Sequence, residues 1–210
     1  MEKDKIMLKT TFKISLAVAL LTVGSMADNE HKGHGKHHKQ ELKQDKTHEK
    51  KHQEEMKDTK EKVSIQLSDT QKEGLTFMAE EEKVARDVYL YLSEKWGNRV
   101  FSNIARAEQK HMDAIVKLLN SYELPIPSTI DEEGIFMDEK LQTMYDSLIE
   151  QGEGSLEEAL KVGVAIEETD IDDLETLLSD EIPSDVEKVY NNLLKGSYNH
   201  LRSFNRQLSK

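Results

Sequence analysis

Four stretches of this chain with helical periodicity each carry an ionisable, metal-competent residue where the helix should be apolar. The first reads Leu75, Met78, Glu82, Ala85, Tyr89, Leu92, and the second Phe101, Ile104, Glu108, His111, Ile115, Leu118. The third reads Leu160, Val164, Glu167, Ile171, Leu174, Leu178, and the fourth Val189, Leu193, Gly196, His200, Phe204. Steps of three and four residues put each set on one helix face, so Glu82, Glu108, His111, Glu167 and His200 are predicted to point inward. Buried carboxylates and imidazoles are costly unless they are paired or coordinated. A carboxylate-rich metal centre inside an all-α four-helix bundle accounts for all five at once.

The punctuation between these stretches fits four long helices. Ser68-Asp-Thr-Gln71 is a capping box that opens a first helix running to about Trp96, where Gly97-Asn98 ends it. A second helix is predicted over roughly Val100 to Tyr122, before Leu124-Pro-Ile-Pro127. Residues 125–137 form a long connection, and Asp138 caps a short helix over Glu139–Gln151. Ser155-Leu-Glu-Glu158 opens a third long helix to about Leu178, and Ser184-Asp-Val-Glu187 a fourth to about Leu208. Sustained alternating runs are absent, so no strands are expected. The result is two helical hairpins joined by one long crossover that carries an extra short helix.

Outside residues 63–210 the composition changes. Lys3, Lys5, Lys9 and Lys13 precede the apolar run Ile14 to Gly24, and Ser25-Met26-Ala27 supplies small residues for cleavage, so residues 1–27 read as a signal peptide. The alternative is an uncleaved N-terminal anchor, for which the run is short. Residues 28–62 are rich in Lys, Glu, Gln and His and are expected to be disordered. They hold six of the eight histidines, His31, His34, His37, His38, His48 and His52, which suit capture of Cu, Ni or Zn or serve as a solubilising spacer. The chain has a net charge of -12, and loss of residues 1–27 would leave about -14. So acidic a protein repels nucleic acid and anionic membrane surfaces, and no membrane association is expected after cleavage. There is no cysteine, hence no disulfide framework and no thiolate metal site. Together these features predict an exported, periplasmic or secreted protein.

Two motifs give the helices a likeness. Ala79-Glu-Glu-Glu82-Lys-Val-Ala-Arg86-Asp-Val-Tyr89 resembles the first-helix motif of rubrerythrin-type ferritin-like proteins, and Glu108-Gln-Lys-His111 resembles their second-helix E-x-x-H. With Gly196-Ser-Tyr-Asn-His200-Leu-Arg-Ser-Phe204, the pattern is closest to the ferritin-like domain of unknown function 2202, over nearly all of residues 70–208. The resemblance implies a ferritin-like fold and a dinuclear metal site, and it brings no established reaction. One position departs from the pattern, because Ser197 stands three residues before His200 where a second bridging glutamate is usual.

Asp170, one turn beyond Glu167, can supply the missing carboxylate. The predicted ligand set is therefore Glu82, Glu108, His111, Glu167, Asp170 and His200, with Glu168 replacing Glu167 if that helix is rotated by one position. Two of the run Glu80, Glu81 and Glu82 are expected to face solvent. Tyr89 lies on the face of Glu82 and can hydrogen-bond a ligand or act in catalysis, or be an ordinary core tyrosine. Arg86 is expected to pair with Glu82 or Asp170, and Tyr198 to be exposed.

Iron, as two ions, fits this ligand set best, with manganese or zinc accepted by the same donors. The leading expectation is a di-iron or manganese–iron oxidoreductase that oxidises ferrous ion or reduces peroxide or oxygen with an external electron donor. The other is an exported metal-handling protein without turnover, and the plainest is a scaffold whose buried polar residues pair among themselves. Metal ions are the expected partners, and a homodimer is compatible with the sequence.

Overall fold

Capping chemistry sets the helix limits seen in the computed structural model, which describes residues 66–210. Helix α1 spans Asp69–Trp96, where Ser68 and Gln71 form the full reciprocal box and Gly97 closes the end at φ 63°. Asn98 then caps α2, Arg99–Ser121, through Val100 N–H. Asp138 caps α3, Glu139–Gly152, by accepting from Lys140 and Leu141 N–H. Ser155 caps α4, Leu156–Leu178, through Glu158 N–H. The third expected box, at Ser184, does not form: α5, Ser184–Leu208, takes Pro183 as its cap residue with no side-chain bond. Pro183 is already extended at ψ 142°, so the chain turns into the helix one residue early and Ser184 becomes its first residue.

The described residues are all-helical, with no strand, and none of the helices is long and apolar enough to cross a membrane. The expected signal peptide and histidine-rich segment lie outside the described residues. Helices α1 and α2 pair through the tight Gly97-Asn98 turn, and α4 pairs with α5. Side contacts of α1 with α4 and of α2 with α5 close a ring of four long helices. Helix α3 lies on the outside, against α1 and α4.

The interior is layered. One apolar cluster gathers Val88, Tyr89, Leu92, Phe101, Ile104, Leu160, Ile166 and Phe204 with Leu141, Met144 and Leu148 of α3. A second gathers Leu75, Met78, Ile115, Leu119, Leu174, Leu177, Tyr190 and Leu193 at the other end. Each long helix passes from one cluster to the other, and between them it contributes polar side chains: Glu81 and Glu82, Glu108 and His111, Glu167 and Asp170, Ser197 and His200. The core is thus two hydrophobic halves with a polar layer between them.

The expectation that two of Glu80, Glu81 and Glu82 face solvent fails, since all three are buried. The crossover is the reason for Glu80. Glu80 Oε1 accepts from Met137 N–H at 2.7 Å, while Lys83, fully buried, donates to Ile135 O and lies 3.9 Å over the Phe136 ring. Asp87, also fully buried, accepts from Lys83 Nζ at 2.8 Å, from Gly134 N–H and from Arg86. Arg86 does not reach Glu82 or Asp170 as expected. Its guanidinium binds Asp87 at 2.7 Å and Gln109 Oε1 at 2.8 Å, because it leaves α1 on the side facing α2 and the crossover.

Asp87 therefore holds two buried cations and the crossover together. Asp87→Ala is expected to lower unfolding stability by about 3–5 kcal/mol, since Lys83 is left as an uncompensated buried charge. Lys83→Met should cost clearly less, because Arg86 still pairs with Asp87 and the methionine fills the space. Denaturant unfolding of the two variants beside the parent checks the order.

Candidate metal centre

The polar layer owes its geometry to register. Glu108 and His111 sit one turn apart on α2, so both side chains reach the same interior point. Glu82 arrives from α1, Glu167 from α4 and His200 from α5. His111 Nδ1 lies 2.7 Å from Glu108 Oε2 and 3.4 Å from Glu82 Oε2. His200 Nδ1 lies 2.8 Å from Glu108 Oε1 and 3.4 Å from Glu167 Oε2. The two halves repeat one another, each with one imidazole nitrogen, one outer carboxylate and one oxygen of the shared Glu108. Within each half the ligand-type atoms all lie inside 4.8 Å of one another.

At 2.7 and 2.8 Å the contacts to Glu108 become hydrogen bonds only with a proton on each imidazole nitrogen. His111 Nδ1, His200 Nδ1, Glu108 Oε1 and Glu82 Oε1 are buried and have no hydrogen-bond partner. Buried polar atoms are nearly always satisfied, by a proton or by a cation, and the two groups of atoms are candidate places for a metal ion. The donor set of carboxylate oxygens and imidazole nitrogens suits iron, manganese or zinc.

The surrounding residues fix these groups. The Tyr89 hydroxyl, fully buried beside Phe101 and Phe204, donates to Glu167 Oε1 at 2.6 Å, as the sequence suggested it could. Gly196 gives the His111 ring its seat, since a Cβ there would stand 2.5 Å from His111 Cε1 and 2.6 Å from Nε2. The imidazole edge lies flat on the α5 backbone, and Nδ1 is left facing the carboxylates. Glu168 is exposed, so Glu167 is the inward residue of α4. Asp170 is buried but is not among the converging atoms. Ser197 holds its Oδ2, and its Oδ1 has no partner. Tyr198 is exposed as expected and bonds Glu175. Sequence reasoning missed the role of Gly196, although a glycine on the apolar face opposite an E-x-x-H turn was a usable signal.

Without cations the layer balances itself by holding protons. Burial pushes Glu82 and Glu167 up to about 8. Burial alone would lower the imidazoles, but Glu108 and Glu82 hold His111 at about 11, and Glu108 and Glu167 hold His200 at about 10. Burial works the other way on Glu108, and the two imidazoles overcome it and bring the carboxyl down to about 2. Asp170 stands well above the carboxylate range, first by burial and then by the charge of Glu82.

The sign of the pH dependence follows. Glu82, Glu167, His111 and His200 bind protons more tightly folded than unfolded, so the stability they give is complete below their unfolded pKa values. It is lost as pH rises through about 8 and then about 10 to 11. Glu108 has the opposite sign but acts only in acid, between its ordinary value of 4.5 and about 2. In chelator the melting temperature is therefore expected to fall between roughly pH 5 and pH 9. With Mn2+ in excess the slope should reverse, because ligands must lose protons to bind. Parallel slopes in thermal melts under the two conditions would contradict this arrangement.

Comparison with known proteins bears on the helical domain. The chain is 48% identical over 143 residues to the uncharacterized protein MJ0754 of Methanocaldococcus jannaschii, covering 68% of this chain and 77% of that protein. The crystal structure of the hypothetical protein MJ0754 matches with a TM-score of 0.67, covering 68% of this chain and 82% of that one. The model of the uncharacterized protein domain DUF2202 matches residues 71–210, and the chain belongs to that family.

Proposed function

We propose that the polar layer is a dinuclear centre for iron, or for manganese and iron, in a ferritin-like bundle, and that it oxidises ferrous ion or reduces peroxide or dioxygen. The single observation that carries this reading is the placement of Glu108, whose two carboxylate oxygens each meet a different imidazole, Oε2 at His111 and Oε1 at His200. A carboxylate used at both ends in this way is a bridge between two ions. The ring of four long helices with a crossover between α2 and α4 supports the ferritin-like assignment.

The residues then have distinct tasks. Glu82 and His111 would hold one ion, Glu167 and His200 the other, and Glu108 would be shared by both. Tyr89 fixes Glu167 by its hydroxyl. Three carboxylates leave two divalent ions with a net positive charge, and Asp170, free at Oδ1 beside the centre, brings the sum to neutral. Bound iron or manganese would supply one-electron chemistry toward an O–O bond. The adjoining cavity of about 10 Å³ has room for one water-sized body. It is lined by Ala85, Met144, Leu148 and Ile166 opposite the carboxylates. That space would admit a water-sized ligand beside the carboxylates. With no cysteine in the chain, reducing equivalents come from an external donor. The leader and the histidine-rich tract, read from the sequence, favour work outside the cytoplasm.

One observation favours a second reading, metal holding without turnover. Ser197 occupies the place of the usual second bridge and is engaged with Asp170 instead. Elemental analysis of the full chain and of Glu108→Ala, each loaded anaerobically with ferrous ion and gel-filtered, tests the centre itself. The variant is expected to retain two fewer ions per chain, since tail histidines contribute equally to both. Equal contents would remove the dinuclear reading. Admitting air or peroxide to the loaded parent should then raise a ferric near-ultraviolet band, and iron that stays ferrous would leave metal holding.

A further inference from the structure

Helix α4 carries more buried carboxylate than two ions require. Glu167, Asp170 and Asp173 follow one another at single-turn steps, and all three are buried. Three residues of helix rise about 4.5 Å, so Asp173 lies about 9 Å along α4 from Glu167. Glu81 of α1, at 6% exposure, faces Asp173, also at 6%, within hydrogen-bond reach. Both groups only accept unless one is protonated, and Glu81 Oε2, Asp173 Oδ2 and Asp170 Oδ1 are buried oxygens without a donor among the described residues. Two carboxyl groups in contact need a shared proton or a shared cation. Glu81 and Asp170 also line the cavity that borders Glu82, Glu108 and Glu167. Exposed Asp172 extends the negative charge outward from Asp173.

We propose that Glu81, Asp170 and Asp173 form a third divalent-cation position, outside the dinuclear centre, through which metal ions pass on their way to it. The oxygens of this trio are not gathered within the 4.8 Å that groups each half of the centre. A cation there keeps part of its water shell and is held loosely, as a transit position requires. Asp170 stands at the junction, with Oδ2 held by the Ser197 hydroxyl and Oδ1 without a partner. The inference deepens the two-ion reading by giving that centre a supply route, and its test keeps the two apart.

Crystals of the full chain soaked in MnCl2 and measured at the manganese edge should show anomalous density beside His111 and His200, and a weaker peak among Glu81, Asp170 and Asp173. In Glu81→Gln/Asp173→Asn that third peak should vanish while the other two remain. Mixing each full-length protein with Co2+ and following visible absorption should show the variant's centre filling at least about tenfold more slowly, as loss of a focusing charge cluster requires. Both variant side chains keep the native shape, and an unchanged helical circular dichroism melt verifies folding. Absence of the third peak in the parent would mean that Glu81 and Asp173 share only a proton, and would overturn the proposal. So would a variant that loads at the parent rate. A peak at Glu81 with none beside the histidines would overturn the two-ion reading and, with it, the supply role.

Discussion

Glu108 is the residue on which the interior depends. It is buried to 2% exposure, touches imidazoles from α2 and α5 and stands between carboxylates from α1 and α4. All four long helices therefore meet at one ionised group. Its neighbours would repel one another as bare carboxylates, and hydrophobic packing alone gives no reason to place them there. The apolar clusters on either side supply the burial energy, and the polar layer fixes which helix faces meet and in what register. Protons settle the charge in the ion-free molecule, and cations would settle it in the metal-loaded form proposed above. One set of groups thus sets both stability and metal affinity, with opposite dependence on pH.

The two halves of the centre are alike at the ligands and unlike behind them. On the α4 side Tyr89 holds Glu167 and Ser197 holds Asp170, both by hydroxyl. On the α1 side no such hydroxyl contact is made to Glu82, and Gly196 instead lets the His111 ring lie against the α5 backbone. The carboxylate surplus also runs to one side, along α4 toward Asp173 and across to Glu81. Such asymmetry would give two ions bound there different surroundings.

Much of this was legible in the sequence. Three-and-four spacing identified Glu82, Glu108, His111, Glu167 and His200 as inward, and the caps at Ser68, Asp138 and Ser155 placed three of the five helix starts within a residue. The failures share a cause. Periodicity assumes one apolar stripe and one wet face, but α1 between Gly74 and Tyr89 is buried almost all round. The crossover covers Glu80, Lys83 and Asp87 from outside, and α4 covers Glu81 with a carboxylate. Neither contact has a local signature, because each joins residues far apart in the chain. The partner of Arg86 was its own neighbour Asp87, which is buried with Lys83 on the same helix and with the distant Gly134 amide of the crossover. Pro183 displaced the last cap by one residue for a local reason the sequence did contain.

The central claim is that one carboxylate joins two ions. Electron paramagnetic resonance of the full chain loaded anaerobically with two equivalents of Mn2+ beyond those taken up by the Glu108→Ala variant addresses it directly. Ions joined by a carboxylate are exchange-coupled, and the account predicts a multiline spectrum with temperature-dependent intensity that is absent in the variant. A simple six-line spectrum of isolated Mn2+ at full loading would contradict it.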